Sequence, residues 1–110
     1  MITLTTHVLD TAHGAPAAGI TLTLHNAAGE AVFAGTTNGD GRCPDLPPIT
    51  AGRWRLTFAV ADYFRARGVA LSDPPFLDAV PIDFGVAGDD GHYHVPLLVS
   101  PYGYSTYRGS

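Results

Sequence analysis

Lysine is missing from this 110-residue chain, and cysteine occurs once, at Cys43. A lone thiol rules out an intramolecular disulfide, so nothing ties the fold to an oxidising compartment, and a reducing cytosol suits it. Positive charge is scarce: six arginines stand against ten acidic residues, for a net charge of −4. No basic run or stripe is available to neutralise a phosphate backbone, which argues against nucleic acid as a partner. Apolar runs stay below the length that spans a bilayer. The opening Met1-Ile-Thr-Leu-Thr-Thr-His-Val-Leu lacks the basic segment, the unbroken apolar segment and the small-residue cleavage site of a secretion leader. The closing Arg-Gly-Ser is not the Ser-Lys-Leu peroxisomal address. These absences predict a cytoplasmic protein without membrane contact.

Helical periodicity is nearly absent too, and alternation at period two takes its place. Ile2, Leu4, Thr6 and Val8 oppose Thr3, Thr5, His7 and Leu9, the pattern of a half-buried strand with His7 on its more polar side. Asp10 to Gly19 reads as a loop. Ile20, Leu22 and Leu24 then alternate with Thr21, Thr23 and His25, and Asn26-Ala-Ala-Gly29 folds that strand back into Glu30 to Thr36 as a hairpin. Asn38-Gly-Asp-Gly41 makes a tight turn that delivers Arg42 to a fixed place. Pro44, Pro47 and Pro48 leave room only for a short edge strand. Arg53 to Val60 is a strand with Trp54, Leu56, Phe58 and Val60 inward, and Trp54 is expected at the centre of the core. Ala61 to Arg67 is the one helical candidate, with Asp62 as N-cap and Gly68 as its stop. Phe76 to Val86 reads as a strand in which Pro81 marks an edge or bulge, and Gly88-Asp-Asp-Gly91 turns into a last pair.

Seven or eight short strands spaced by turns, with one short helix, predict a β-sandwich occupying residues 1–110 as a single domain. Hydrophobic residues make up 45% of the chain and charged ones only 15%. Some of that apolar surface is expected to close a subunit interface.

The C-terminal stretch is unlike a fraying tail. Tyr93, Val95, Leu97 and Val99 supply a core face, while His92, His94, Pro96 and Leu98 lie opposite. A second alternating run follows Ser100-Pro101, and Tyr107-Arg-Gly-Ser110 closes the chain. Among five histidines, His13 and His25 read as solvated or turn-capping residues. His7 projects from the non-core face of the first strand, and His92 and His94 from that of a late one, where the two strands of a sandwich can pair. Parity does not separate His92 from His94.

The run His94-Val-Pro-Leu-Leu98, the Ser-Pro turn, the terminal Tyr107-Arg-Gly-Ser110, Thr6-His-Val-Leu-Asp10 and Thr37-Asn-Gly-Asp-Gly-Arg42 resemble 5-hydroxyisourate hydrolases, the transthyretin-like enzymes of urate breakdown. The resemblance covers essentially the whole chain, and its motifs show no departure from the family pattern. It implies an all-β, transthyretin-like two-sheet sandwich, assembled as a homotetramer (a dimer of dimers) with active sites at the dimer–dimer interface. It implies hydrolysis of the small molecule 5-hydroxyisourate to a carboxylated ureidoimidazoline in purine degradation, with no cofactor and no metal. His7, Arg42, His94 and Ser110 take the catalytic positions, and His7, Arg42 and Tyr107 those of substrate binding. Hydrolysis needs a base for water, a donor for the developing oxyanion and a cation for an electron-rich ring. His94 or His7 suits the first task and Arg42 the last, with Tyr107 and the Ser110 carboxylate orienting the histidines or the water. Which histidine is the base stays open.

Other readings are weaker. His92, His94 and His7 could form a three-nitrogen metal site, but no carboxylate or thiolate stands beside them at ligand spacing. A serine nucleophile lacks a Gly-x-Ser-x-Gly elbow. Cys43, beside Arg42, could carry a depressed pKa, although a small buried thiol is the commoner case. A carrier of a hydrophobic ligand would use the same sandwich and have no need of His7, Arg42 and His94 together. An adhesion or scaffold sandwich would be a monomer.

Overall fold

A computed structural model describes residues 1–110. The alternating stretch at the start becomes β1, Ile2–Asp10, in which every second residue from Ile2 to Asp10 is buried. The short β2, Ala15–Pro16, follows inside the stretch expected to be loop. Next come β3, Thr21–His25, β4, Ala31–Thr36, and β5, Gly52–Ala59. The helix α1, Val60–Ala66, precedes β6, Ala79–Val86, β7, Gly91–Ser100, and β8, Gly103–Thr106.

Two four-stranded sheets form, ordered β2-β1-β7-β8 and β4-β3-β5-β6. The pairs are antiparallel except β1 with β7, which run parallel from Ile2 opposite Gly91 to Asp10 opposite Val99. Between the sheets lie Ile2, Leu4 and Val8 of β1, Leu22 and Leu24 of β3, Leu56 and Phe58 of β5, and Val95, Leu97 and Val99 of β7. Each such burial is worth about 1.5–3 kcal/mol. The hairpin β3–β4 forms as expected, its turn held by Asn26 Oδ1 accepting from the N–H groups of Ala28 and Glu30 at 3.1 and 3.0 Å. Pro81 lies in β6, an edge strand, where its missing N–H is harmless.

Several expectations need correcting. Trp54 is only half buried and packs on the rim of the core. It stands near the start of β5, and its indole N–H donates to the Thr50 carbonyl at 2.8 Å in the preceding loop; this keeps the polar edge of the ring outward. The helix begins at Val60 with Ala59 as its cap and no side-chain cap. The Asp78 carbonyl accepts from the N–H groups of Val60 and Ala61 instead, at 3.1 Å each, and Asp62 sits in the first turn, 3.6 Å from Arg65. The strand expected from Phe76 begins at Ala79, after a loop that leaves Phe76 exposed.

Asp10 also differs from expectation, whereas His13 lies in a turn as expected. Asp10 is fully buried at the end of β1, and its carboxylate accepts from Tyr63 Oη at 2.8 Å, from His13 Nδ1 at 2.6 Å, and from the N–H groups of Ala12 and His13 at 3.0 Å each. Burial alone would raise its pKa, but these donors, Tyr63 first, hold it below the usual carboxylate range. The stability it contributes is therefore present above the unfolded value and is lost as pH falls through the lowered folded one. The His13 ring stacks on Phe64, so α1 is fastened to the first sheet through this cluster.

Candidate active site

In a β-ladder, residues directly opposite one another share a face of the sheet. Thr3 faces His92, Thr5 faces His94 and His7 faces Pro96 across the β1–β7 pair. All three β1 side chains and both histidines of β7 therefore stand on the outer face of the first sheet. His7 and His94 are diagonal neighbours there.

The Asn38–Arg42 turn is stitched onto this face. Asn38 Oδ1 accepts from the N–H groups of Asp40 and Arg42 at 2.9 and 3.1 Å, and the Asn38 N–H donates to the Arg42 carbonyl at 2.8 Å. Gly41, at φ 75, gives its carbonyl to the Val8 N–H at 2.8 Å. A Cβ at Gly41 would run into the Val8 carbonyl, and the positive φ disfavours any other residue, so close docking requires glycine. The Arg42 backbone consequently forms an antiparallel bridge with that of His7, and the exposed Arg42 guanidinium has no hydrogen-bond partner within the chain.

The tail returns to the same ladder from the other side. The Arg108 guanidinium lies 4.0 Å from the Tyr93 ring centroid and donates to the His92 carbonyl at 3.4 Å. The Gly109 N–H then donates to the His94 carbonyl at 2.8 Å. Here too a Cβ would strike something, in this case the His94 imidazole itself. Ser110 follows, exposed, one residue beyond that anchor. Tyr107 is not brought to the histidines. It lines a cleft of about 210 Å³ with Ile82, Phe84, Tyr93 and Val95, at the opening between the sheets.

His94 is half buried, and its pKa is lowered by burial first, then by the charge of Arg42, and then by His92 and His7. Its Nδ1 lies 2.8 Å from Thr5 Oγ1, which is 3.1 Å from His92 Nε2; His92 Nδ1 lies 2.5 Å from Thr3 Oγ1. Three ring nitrogens are thus engaged by hydroxyls, and no three His, Cys, Asp or Glu side chains converge as metal ligands would. Cys43 is buried, and burial pushes its thiol pKa up, which removes the activated-nucleophile reading. A neutral imidazole and an unpaired guanidinium on one face can deprotonate water and hold a negative charge beside it. The face is open in the single chain: a hollow of about 990 Å³ lies elsewhere, over His25, Arg53, Arg55 and Thr57 of the second sheet.

Sequence reasoning missed Thr5 and Arg108. Thr5 appeared only as the polar half of an alternation, and Arg108 as one letter of the terminal motif. Neither contact has a signature without the strand register.

The model of the HIUase/Transthyretin family matches residues 4–109. The 5-hydroxyisourate hydrolase of Pseudomonas aeruginosa is 53% identical over 97% of this chain and 90% of its own length. The solved 5-hydroxyisourate hydrolase of Klebsiella pneumoniae superposes with a TM-score of 0.84 at 38% identity, covering 100% of both chains. Sea bream transthyretin in complex with thyroxine superposes at 0.83 with 25% identity, covering 96% of this chain and 93% of that one.

The shift of His94 yields a titration prediction. A lowered value means the ring stays neutral, and available as a base, further into acid than an ordinary histidine. Its NMR midpoint should lie below about 6.5. Arg42→Gln removes one nearby cation and should raise that midpoint. A wild-type value above the ordinary one, or no response to Arg42→Gln, would contradict the electrostatic picture.

Proposed function

The chain belongs to the HIUase/Transthyretin family, and on that footing we propose that it is a cyclic-amide hydrolase that opens 5-hydroxyisourate to the carboxylated ureidoimidazoline. One observation carries the reading: two separate segments, the Asn38–Arg42 turn and the tail, are bonded to the β1–β7 ladder at Val8 and His94. That brings Arg42 and Gly109 to the two histidines.

The chemistry follows from this placement. Water attacks a ring carbonyl, the C–N bond breaks, and negative charge develops on the carbonyl oxygen. In this reading His94 takes the proton from water. Arg42 offers a planar pair of donors to the ring carbonyls and the developing charge, which a point-charge ammonium cannot match. His7, whose backbone is bridged to that of Arg42, donates to the substrate, and Ser110, carried past His94 by Gly109, helps to hold the water. Tyr107 reaches the substrate only if a neighbouring subunit presents it, because within one chain it faces the inter-sheet cleft.

The thyroxine-bound transthyretin has the same sandwich, so fold alone does not separate enzyme from carrier. The face does. Three imidazoles, two threonine hydroxyls and a free guanidinium suit a polar, electron-rich ring better than an apolar ligand. No helix is long and apolar enough to cross a membrane, and a cytoplasmic setting, which keeps Cys43 reduced, completes the proposal.

A homotetramer, as a dimer of dimers, accounts for the remaining surface. Phe76, Tyr102, Tyr104 and Tyr107 are exposed, and β6 and β8 are open sheet edges. A second subunit would close the open histidine face into a channel. Sedimentation at micromolar concentration should show a tetramer, and a clean monomer would remove the interface-built site.

Freshly generated 5-hydroxyisourate should lose its ultraviolet absorbance faster with the protein present. Arg42→Lys keeps the charge and loses the fork, so kcat/KM should drop about ten- to a thousandfold, the scale of one or two charge-assisted contacts. Wild-type rates in that variant would relegate Arg42 to structure.

A further inference from the structure

Thr5 stands between two imidazoles, with its Oγ1 2.8 Å from His94 Nδ1 and 3.1 Å from His92 Nε2. Two residues earlier on β1, Thr3 Oγ1 is 2.5 Å from His92 Nδ1 and 3.5 Å from the Gly91 carbonyl. A hydroxyl owns one proton, and a neutral imidazole owns one N–H and one lone pair. The Thr5 hydroxyl has no other partner in the chain, so its proton is used only if Thr5 donates to one ring and accepts from the other, which couples the tautomers of the two histidines.

Two arrangements satisfy the chain of groups. In the first, His94 Nδ1–H donates to Thr5, Thr5 donates to His92 Nε2, His92 Nδ1–H donates to Thr3, and Thr3 donates to the Gly91 carbonyl. In the second, the histidine and threonine bonds all reverse, and the Thr3 proton turns from Gly91 to His92. The first makes one hydrogen bond more and leaves His94 Nε2 as a bare lone pair. The second puts a proton on that nitrogen and abolishes the base.

We propose that Thr5 is a positioning residue for the hydrolysis: its hydroxyl holds His94 in the tautomer whose bare Nε2 takes a proton from the attacking water, and it links that ring to His92. This rests on the hydrolase reading and adds which nitrogen of His94 is the base and what keeps it bare. As the water oxygen bonds to the carbonyl carbon and the carbonyl π pair moves onto its oxygen, the water proton goes to His94 Nε2. The His94 Nδ1 proton passes to Thr5 Oγ1 while the Thr5 proton passes to His92 Nε2. The positive charge then rests on exposed His92. His94 is the less favourable place for it, half buried with Arg42 facing it from the turn, His7 from β1 and His92 along β7. When the C–N bond breaks, His94 Nε2–H protonates the leaving nitrogen, and the reverse transfer through Thr5 restores the starting state.

Two readouts test this, the first of them independent of the hydrolase reading. Nitrogen-15 NMR of the wild-type protein without substrate reports which His94 nitrogen bears the proton. Nδ1 is expected, and Nε2 overturns the proposal whatever the protein hydrolyses. In the assay, Thr5→Val should lower kcat about 10- to 100-fold with KM within about twofold, and Thr5→Ser should recover most of the loss. Wild-type kcat in Thr5→Val, or Thr5→Ser as slow as Thr5→Val, overturns it. If Thr5→Val fails to fold, the wild-type tautomer decides. A protein inert toward 5-hydroxyisourate but protonated at Nδ1 would defeat the catalytic role through the hydrolase reading, with the tautomer coupling intact.

Discussion

The parallel ladder between β1 and β7 is the constraint on which the rest depends. It joins residues near the two ends of the chain, Ile2 with Gly91 through Asp10 with Val99. Closing so long a loop is entropically unfavourable, although the cost grows only slowly with length. Burial of Ile2, Leu4 and Val8 against Val95, Leu97 and Val99 offsets it on the inner face. The outer face of the same ladder is consequently rigid without having to be apolar. Polar side chains placed there inherit their positions from the core beneath them, which is what preorganised chemistry requires.

The site is completed by backbone approach. The turn reaches β1 at Val8, and the tail reaches β7 at His94, each through an N–H to carbonyl bond of 2.8 Å. Both approaches are closer than a side chain would permit, and a glycine stands at each. The terminal motif is thereby explained physically. Arg108 fastens the tail over Tyr93, Gly109 lets it lie against the imidazole, and Ser110 is delivered beyond. Fixing Gly109 against His94 also restricts the ring that Thr5 holds from the other side.

Much of the fold was legible because alternation at period two is a direct readout of a half-buried strand. β1, β5 and the inner face of β7 follow from it, and so do the hairpin at Asn26 and the stop at Gly68. Trp54 misled because bulk suggests depth, whereas an indole N–H without a buried partner belongs at a rim. Asp62 misled because a good capping residue cannot act when a carbonyl from elsewhere, that of Asp78, already occupies the helix N-terminus. Asp10 read as a loop residue because its partner, Tyr63, lies far along the chain. His7, Arg42 and His94 were legible as a set through motif resemblance. That His92 and His94 share one hydroxyl was not, since it depends on which residue of β1 lies opposite each.

The central claim is that catalysis needs the tail seated against His94. Gly109 has an ordinary backbone conformation, so Gly109→Ala introduces little beyond a methyl group aimed at the imidazole. The most direct measurement is kcat/KM of Gly109→Ala toward 5-hydroxyisourate, alongside its urea unfolding midpoint. Activity should fall by about two orders of magnitude, the scale of a misplaced catalytic group, while the midpoint stays near that of the wild type. A Gly109→Ala protein that hydrolyses 5-hydroxyisourate at the wild-type rate would contradict the account.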